Sequence, residues 1–327
     1  MAVILLTGAN GFVGQALGQL LNAQPDTSWR PVIRTLRTLR TQQHNWPDTW
    51  PTPHIIDLEH GDFSAALSGV DCVIHLAARV HVLNDQNSEP LAAYRRVNVD
   101  VTLRLARQAA ASGVTRFIYL SSIKVNGEAT DTTLQPQPFA ADTPPQPLDP
   151  YGVSKWEAEQ GLAQIARETG LQVVIIRPPL VYGPQVKANF LQLMRWVRRG
   201  WPLPLARACN QRSMVYVGNL VDLIWRCTHH PRAAGQTFLV SDGQDMSTAQ
   251  LIRNLARAMH QPARLWPCPL FVLTLGARLT GRQAALERLF GSLQVDIQAT
   301  CQTLDWQPPF SVEAGMAVTV AAMLAAT

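Results

Sequence analysis

The feature that most constrains this sequence is its beginning. An apolar run of strand length, Ala2 to Thr7, leads into three evenly spaced glycines, Gly8, Gly11 and Gly14. A helical pattern follows, with Phe12, Val13, Ala16, Leu17, Leu20 and Leu21 on one face. Strand, glycine turn and helix in that order give a glycine fingerprint its meaning. Gly8 can take a tight turn that a β-carbon would obstruct. Gly11 lets the backbone approach a pyrophosphate, and Gly14 lets the helix pack closely on the strand. Free N–H groups and the dipole at the helix N-terminus favour phosphates. A glycine turn without a ligand is the plainer alternative, but this setting points to a dinucleotide site. Its candidate contacts are Gly8, Asn10, Gly11, Phe12, Val13 and Gly14.

The chain continues as alternating strands and helices. Pro31 to Ile33, His54 to Leu58, Asp71 to Ala78, Val114 to Ser121 and Leu171 to Arg177 read as strands. Ser64 to Gly69 and Ala92 to Ser112 read as helices, the second with Tyr94, Val97, Val101 and Leu105 on one face. Pro136 to Pro150 is a Pro-rich loop, and Asp149 and Pro150 open another helix as N-cap and first residue. This alternation predicts an α/β fold, a Rossmann-like, doubly wound parallel sheet. Its strand C-termini, and hence its site, lie along one edge. Past Tyr182 the pattern becomes irregular. The expected division is a dinucleotide-binding domain over 1–178 and a smaller mixed lobe over 179–327, with some chain returning to the sheet.

The second strand runs into Arg34, with further arginines at 37 and 40 and no carboxylate at its end. An acidic residue there would accept from the adenosine ribose and favour NAD, whereas Arg34 favours the 2′-phosphate of NADP. A solvated basic loop is the alternative. Asp57 and Leu58 close the third strand. Leu76, Ala77 and Ala78 leave room for a cofactor across the fourth.

Tyr151 and Lys155 stand at i, i+4, on one face of a helix. An ammonium near a phenol favours the phenolate and lowers its pKa from near 10. Ser121 and Ser122 end the fifth strand, and either can hydrogen-bond a substrate oxygen. Together these groups suit hydride transfer with the tyrosine handling the proton. A Tyr/Lys pair alone is a common surface feature. The order of glycine turn, serine pair and Tyr/Lys pair gives it force.

The 327 residues carry a net charge of +5, which suits anionic ligands. The basic residues form no run and no aromatic-basic patch that would argue for nucleic acid. Five cysteines without a CxxC pair read as reduced thiols, neither a disulfide framework nor a zinc site, and place the protein in the cytoplasm. No apolar stretch reaches the ~20 residues of a membrane span. The apolar segment from Pro269 to Gly281 and the Ala-rich end from Ala314 read as core or surface helices, with contact to a membrane surface as the lesser alternative.

The sequence resembles the extended short-chain dehydrogenases/reductases, in the branch of nucleotide-sugar epimerases, dehydratases and reductases. The resemblance rests on Thr7 to Gly14, Asp57-Leu58, His75 to Ala78, Asn98, Ser121-Ser122, Tyr151 to Lys155 and Arg177 to Pro184, and it spans nearly the whole chain. It implies catalytic roles for Ser122, Tyr151 and Lys155, nicotinamide-ribose contacts from Asn98 and Lys155, and a further cofactor contact at Pro178. It also implies a UDP-sugar substrate, held through Arg79, Ser122, Lys124, Asn189 and Arg212, and a homodimer. A helix cap is the plainer role for Asn189, a surface ion pair for Arg212, and solvent for Lys124.

Two departures narrow the reaction. The family's 4,6-dehydratases carry an Asp-Glu pair directly after the catalytic Ser/Thr, where this chain has Ile123-Lys124, so dehydration is not expected. Asn126, before Gly127, stands where the family commonly has a tyrosine. Val80 to Val82, Ile123 to Gly127, Val240 to Gly243 and Gly291 to Asp296 resemble bacterial reductases of UDP-4-keto-6-deoxy-N-acetylhexosamines, which serve O-antigen synthesis. The resulting expectation is an NADP(H)-dependent 4-ketoreductase. The alternative is an NAD-dependent UDP-hexose 4-epimerase.

Overall fold

Both faces of one parallel sheet are covered in this protein, and each strand's side chains divide between them. A computed structural model of the chain describes residues 2–34, 46–80, 89–130, 137–279 and 289–326. Seven strands form the sheet: β1 (Ala2–Thr7), β2 (Thr27–Ile33), β3 (His54–Ile55), β4 (Cys72–His75), β5 (Arg116–Leu120), β6 (Gln172–Arg177) and, much later, β9 (Thr237–Leu239). Their order is β3-β2-β1-β4-β5-β6-β9, every pair parallel. The short strands β7 (Leu180–Tyr182) and β8 (Met214–Tyr216) pair separately. The order reverses between β1 and β4, the point at which such sheets hold their ligands.

The helices are α1 (Phe12–Asn22), α2 (Ser64–Leu67), α3 (Pro90–Arg95), α4 (Val101–Ala111), α5 (Pro150–Thr169), α6 (Ala188–Arg198), α7 (Val217–His229), α8 (Thr248–Ala258), α9 (Leu270–Leu279), α10 (Gln298–Leu304) and α11 (Val312–Ala325). In β1, Ile4 and Leu6 join Leu17 and Leu21 of α1 and Ile224 of α7 in one core. Leu5 points the other way, with Val101 and Leu105 of α4 and Leu162 of α5. That alternation is the two-residue period of a strand buried on both sides.

The helix read over 92–112 is interrupted. Between α3 and α4 lies one π-helical turn, Arg96–Asp100, which accommodates an extra residue and contains the buried Asn98. Asp149 caps α5 as its sequence position predicts, accepting from the Gly152 N–H at 2.6 Å. Such a cap contributes about 1 kcal/mol. Strand β2 begins at Thr27, earlier than Pro31. Pro31 is tolerated inside it because β3 reaches only Val32 and Ile33, so the missing N–H interrupts no ladder on that side. Strand β3 stops at Ile55, and Asp57 and Leu58 lie in the turn that follows, where Gly61 N–H donates to the Asp57 carbonyl at 2.6 Å.

Past β6 the strands are short, and isolated bridges join the segments between the helices. Arg212 bridges both Met246 and Leu293, Leu203 bridges Leu265, and Phe139 in the loop before α5 bridges Val295. No helix among the described residues is long and apolar enough to cross a membrane.

Candidate active site

The glycine turn is built by backbone meeting backbone. A β-carbon on Gly8, whose φ is +73°, would lie 2.8 Å from the Ala77 nitrogen, and one on Gly14 would lie 2.1 Å from the Gly8 carbonyl oxygen. Gly11 N–H donates to that same oxygen at 2.9 Å. Helix α1 starts at Gly11 without a side-chain cap, so the first N–H groups, those of Phe12, Val13 and Gly14, keep no side-chain acceptor. The cradle fits a dinucleotide pyrophosphate: it is narrow, built of glycine, and its helix end favours an anion. Leu76, Ala77 and Ala78 leave β4 beside it, with Leu76 N–H on the Thr7 carbonyl at 3.2 Å. Asn10 lies in the turn, and Arg34 is exposed directly after β2. The arginines at 37 and 40 lie outside the described residues.

Next to the cradle, His75 is wholly buried between two hydroxyls. Its Nδ1 is 2.7 Å from Thr7 Oγ1 and its Nε2 is 3.0 Å from Thr102 Oγ1. The Thr102 hydroxyl is already spent on the Asn98 carbonyl at 2.8 Å, so Nε2 carries the ring proton. Burial, aided by the Lys155 charge, pulls this histidine down to about 3. It is a neutral structural group. The π turn aims Asn98 inward. Its Nδ2 donates to the Arg79 carbonyl at 3.1 Å and Ser154 Oγ at 3.0 Å, while Arg79 N–H donates to its Oδ1 at 2.8 Å. Asn98 thus ties the chain leaving β4 to α5.

Ser122, Tyr151 and Lys155 converge at the ends of β5 and α5. Ser122 opens a short 3-10 turn, Ile123–Val125, and its hydroxyl bonds the Tyr151 phenol. Burial and the Asp149 carboxylate push that phenol up, and the Ser122 bond works against the rise. Lys155 donates to the Leu120 carbonyl at 2.8 Å and lies 4.5 Å over the Tyr119 ring and 5.9 Å from the Tyr151 ring centre. Burial pulls the ammonium down to about 7, with Glu159 opposing. The i, i+4 spacing predicts a tyrosine lowered by its lysine. In the structure burial dominates at both groups and raises the phenol instead. Tyr94 closes the site, its ring edge-on to Tyr151 at 6.0 Å.

The two serines do different things. Ser121 Oγ donates to Glu159 Oε1 at 2.5 Å. Glu159 also accepts from Arg177 Nε at 3.0 Å and Nη2 at 2.5 Å, and Arg177 Nη1 donates to Asn126 Oδ1 at 3.0 Å. Glu159 and Arg177 are only 2% and 4% exposed, so each charge needs the other. Ser121 is therefore structural and Ser122 faces the site. The same network explains Asn126: its carbonyl oxygen completes the arginine. Glu159 is absent from the sequence-based site, although its position at i+4 from Lys155, on the same helix face, signals it.

The other expected substrate contacts are more scattered. The Arg79 guanidinium lies 5.5 Å over the Tyr94 ring. Lys124 forms ion pairs with Asp149 and with Glu128, the second at 3.1 Å. Asn189 is exposed in the first turn of α6, where Lys187 holds the cap position. Arg212 Nη1 donates to the Gly291 carbonyl at 3.1 Å. Asp57 Oδ1 accepts from Glu59 N–H at 2.9 Å, and the Leu58 carbonyl accepts from Arg104. The Pro178 carbonyl receives Ile123 N–H at 3.0 Å and fixes the turn that follows Ser122. Of the quoted motif Val80 to Val82, positions 81 and 82 lie outside the described residues.

A sequence model of the NAD dependent epimerase/dehydratase family matches residues 4–241. The chain belongs to this family. A Vibrio cholerae member named UDP-glucose 4-epimerase is 43% identical, over 99% of this chain and 96% of its own. An Escherichia coli O157:H7 member, N-acetyl-alpha-D-glucosaminyl-diphospho-ditrans,octacis-undecaprenol 4-epimerase, is 28% identical over 86% of this chain and 82% of its own. In fold, the chain is similar to the Bacillus cereus UDP-glucuronic acid 4-epimerase solved in complex with NAD, with a TM-score of 0.78 at 22% identity and 99% of each chain covered. It is also similar to RMD from Pseudomonas aeruginosa, solved with NADPH, with a TM-score of 0.73 at 21% identity, covering 98% of this chain and 99% of the other. These two neighbours of the same fold were solved with different dinucleotides.

Proposed function

We propose that the protein is a UDP-hexose 4-epimerase that uses NAD bound at the glycine cradle. The observation that carries this reading is the 43% identity, over nearly the full length of both chains, to the Vibrio cholerae UDP-glucose 4-epimerase. The arrangement of Ser122, Tyr151 and Lys155 is compatible with it. It replaces the 4-ketoreductase as the leading reading.

NAD, when bound, supplies the acceptor that takes the C4 hydride and gives it back. Tyr151 removes the proton from the C4 hydroxyl and returns it after the sugar has turned over. Ser122 bonds the same oxygen and relays to the phenol. Lys155 contributes positive charge beside Tyr151, which stabilises the phenolate that proton removal requires. Asn98 and the small residues Ala77 and Ala78 would hold the nicotinamide ribose, while the uncapped end of α1 would hold the pyrophosphate. Arg79, Lys124, Asn189 and Arg212 are proposed substrate contacts. For Lys124 this means leaving Asp149 and Glu128 or sharing their charge. Ile123-Lys124 supplies no carboxylate pair, so water elimination has no acid and base.

The 4-ketoreductase remains as a second reading on one observation: Arg34, exposed at the end of β2 with no carboxylate there, suits a 2′-phosphate and hence NADPH. One experiment separates the two. The purified protein is denatured and its released nucleotide identified. It is also incubated with UDP-glucose and UDP-N-acetylglucosamine, and the C4 epimers are followed by NMR. Released NAD and interconversion without net cofactor use support the epimerase. Stoichiometric NADPH oxidation on a UDP-4-keto-6-deoxyhexosamine, with no interconversion of the hexoses, would overturn it.

A further inference from the structure

The positive charge of this chain is unevenly placed. Residues 187–210 carry five Lys and Arg and no carboxylate, and residues 246–279 carry four Arg and no carboxylate. The rest of the chain is net acidic. The fold brings the two stretches together. Helix α6 packs on α8. The segment after α6 pairs with the segment before α9: Leu203 N–H donates to the Arg264 carbonyl at 2.9 Å and Trp266 N–H to the Leu203 carbonyl at 3.1 Å. At Gly200 the backbone runs against the Arg264 guanidinium, and the Arg199 guanidinium lies 5.5 Å over the Trp201 ring. Arg198, Arg199 and Arg264 are all exposed.

The same region exposes large apolar side chains. Trp201 and Trp266 are each about half exposed. In α9, Phe271, Leu275 and Arg278 stand at i, i+4 and i+7 on one helix face, with Val272 beside them, and Phe271 is 71% and Leu275 58% exposed. Partly exposed tryptophans, an apolar helix face and a surround of arginines without acids are the features of a surface that lies in a lipid headgroup layer. The indole and guanidinium groups match the interface, and the apolar ring and methyl groups match the acyl boundary. The ten described residues of α9 are too few to span a bilayer and suit lying along one. A two-fold contact between copies through this face would set its arginines against their own mates. An anionic bilayer neutralises them instead.

We propose that this face, formed by α9, Trp201, Trp266 and the adjacent arginines, is a peripheral docking surface for an anionic membrane. It is separate from the glycine cradle and from Ser122, Tyr151 and Lys155, and it does not depend on which C4 reaction they catalyse. Docked this way, the protein would turn over its substrate at the bilayer surface.

The test is co-sedimentation of the full chain with phosphatidylcholine vesicles, with and without phosphatidylglycerol. The expected result is binding that needs the anionic lipid and weakens as salt is raised. Arg198→Gln, Arg199→Gln and Arg264→Gln should each lower the partition coefficient about five-fold. Phe271→Ser combined with Leu275→Ser should abolish binding. All these positions are exposed, so the melting temperature should stay unchanged, which separates lost docking from lost folding. The proposal is overturned if the wild-type chain stays in the supernatant with anionic vesicles. It is equally overturned if the Phe271/Leu275 variant binds as well as wild type. Should that variant instead convert a dimer to a monomer in sedimentation velocity, the face is a contact between copies and the membrane assignment fails.

Discussion

Two of the polar networks in this molecule handle charge differently. Beneath the candidate site, the Glu159 carboxylate meets the Arg177 guanidinium, and Ser121 and Asn126 take up the remaining hydrogen bonds. Further along the chain, the Asp242 carboxylate accepts only from neutral donors: Tyr182 Oη at 2.8 Å, Tyr216 N–H at 2.8 Å and Asn219 Nδ2 at 2.7 Å. Asn219 also clasps the Phe310 backbone through both its amide atoms. Charge matched by charge can be buried almost completely. A carboxylate held by neutral donors stays partly exposed, and burial raises its pKa. The first network joins α5 to the ends of β5 and β6 and fixes the edge at the candidate site. The second joins β7, β8 and α7 and holds pieces too short to hold themselves.

The sharpest way to break this contrast is Glu159→Gln. It leaves the Arg177 charge buried without its partner and should cost about 3–5 kcal/mol in denaturant-monitored stability. A loss no larger than that of an exposed substitution would show that the ion pair is dispensable. Tyr151→Phe tests the surface that this network positions. Turnover should fall by about 10²–10⁴-fold with the unfolding midpoint unchanged. Retention of turnover would remove Tyr151 from the chemistry.

His75 supplies the comparison with a buried group that stays neutral. Its folded pKa, about 3, lies below the usual 6.5, so between these values the unfolded chain binds a proton that the native state refuses. Stability contributed by this group is complete above pH 6.5 and is lost as pH falls toward 3, by about 1.4 kcal/mol per pH unit. Urea titrations at several pH values should show this slope, and His75→Gln should flatten it. Asp242→Asn should give the smallest effect, within about 1.5 kcal/mol, because an amide can keep most of the same donors. The raised carboxyl also has a sign. It binds its proton more tightly in the folded state, so its stability contribution is present at low pH and is lost as pH rises through the raised value. A large loss in Asp242→Asn would mean that the carboxylate charge itself holds this half together.

What the sequence made legible follows the same division. The glycine turn, the strand and helix order, the Asp149 cap and the meeting of Ser122, Tyr151 and Lys155 were readable because each rests on local spacing within a regular element. The choice between Ser121 and Ser122 was not, since it turns on Glu159 and Arg177, which come from α5 and β6. The role of Asn126 was hidden for the same reason. The start of β2 at Thr27 is not legible because Pro31 looks like a strand boundary until the shortness of β3 is known. Past Tyr182 the bridges join residues far apart in sequence, such as Phe139 to Val295, and no local pattern records them. The lowering of the Tyr151 phenol followed from spacing alone, and burial reversed it.

The π turn at Arg96–Asp100 makes the residue count of its helix part of the site. Loss of one residue from this turn would restore regular α geometry and let α3 run into α4 without the bulge that aims Asn98 inward. Tyr94 would keep its place beside the Tyr151 ring, but Asn98 would lose its hold on Arg79 and Ser154. The segment can therefore vary in composition far more freely than in length, and a single-codon deletion there should be worse tolerated than most substitutions.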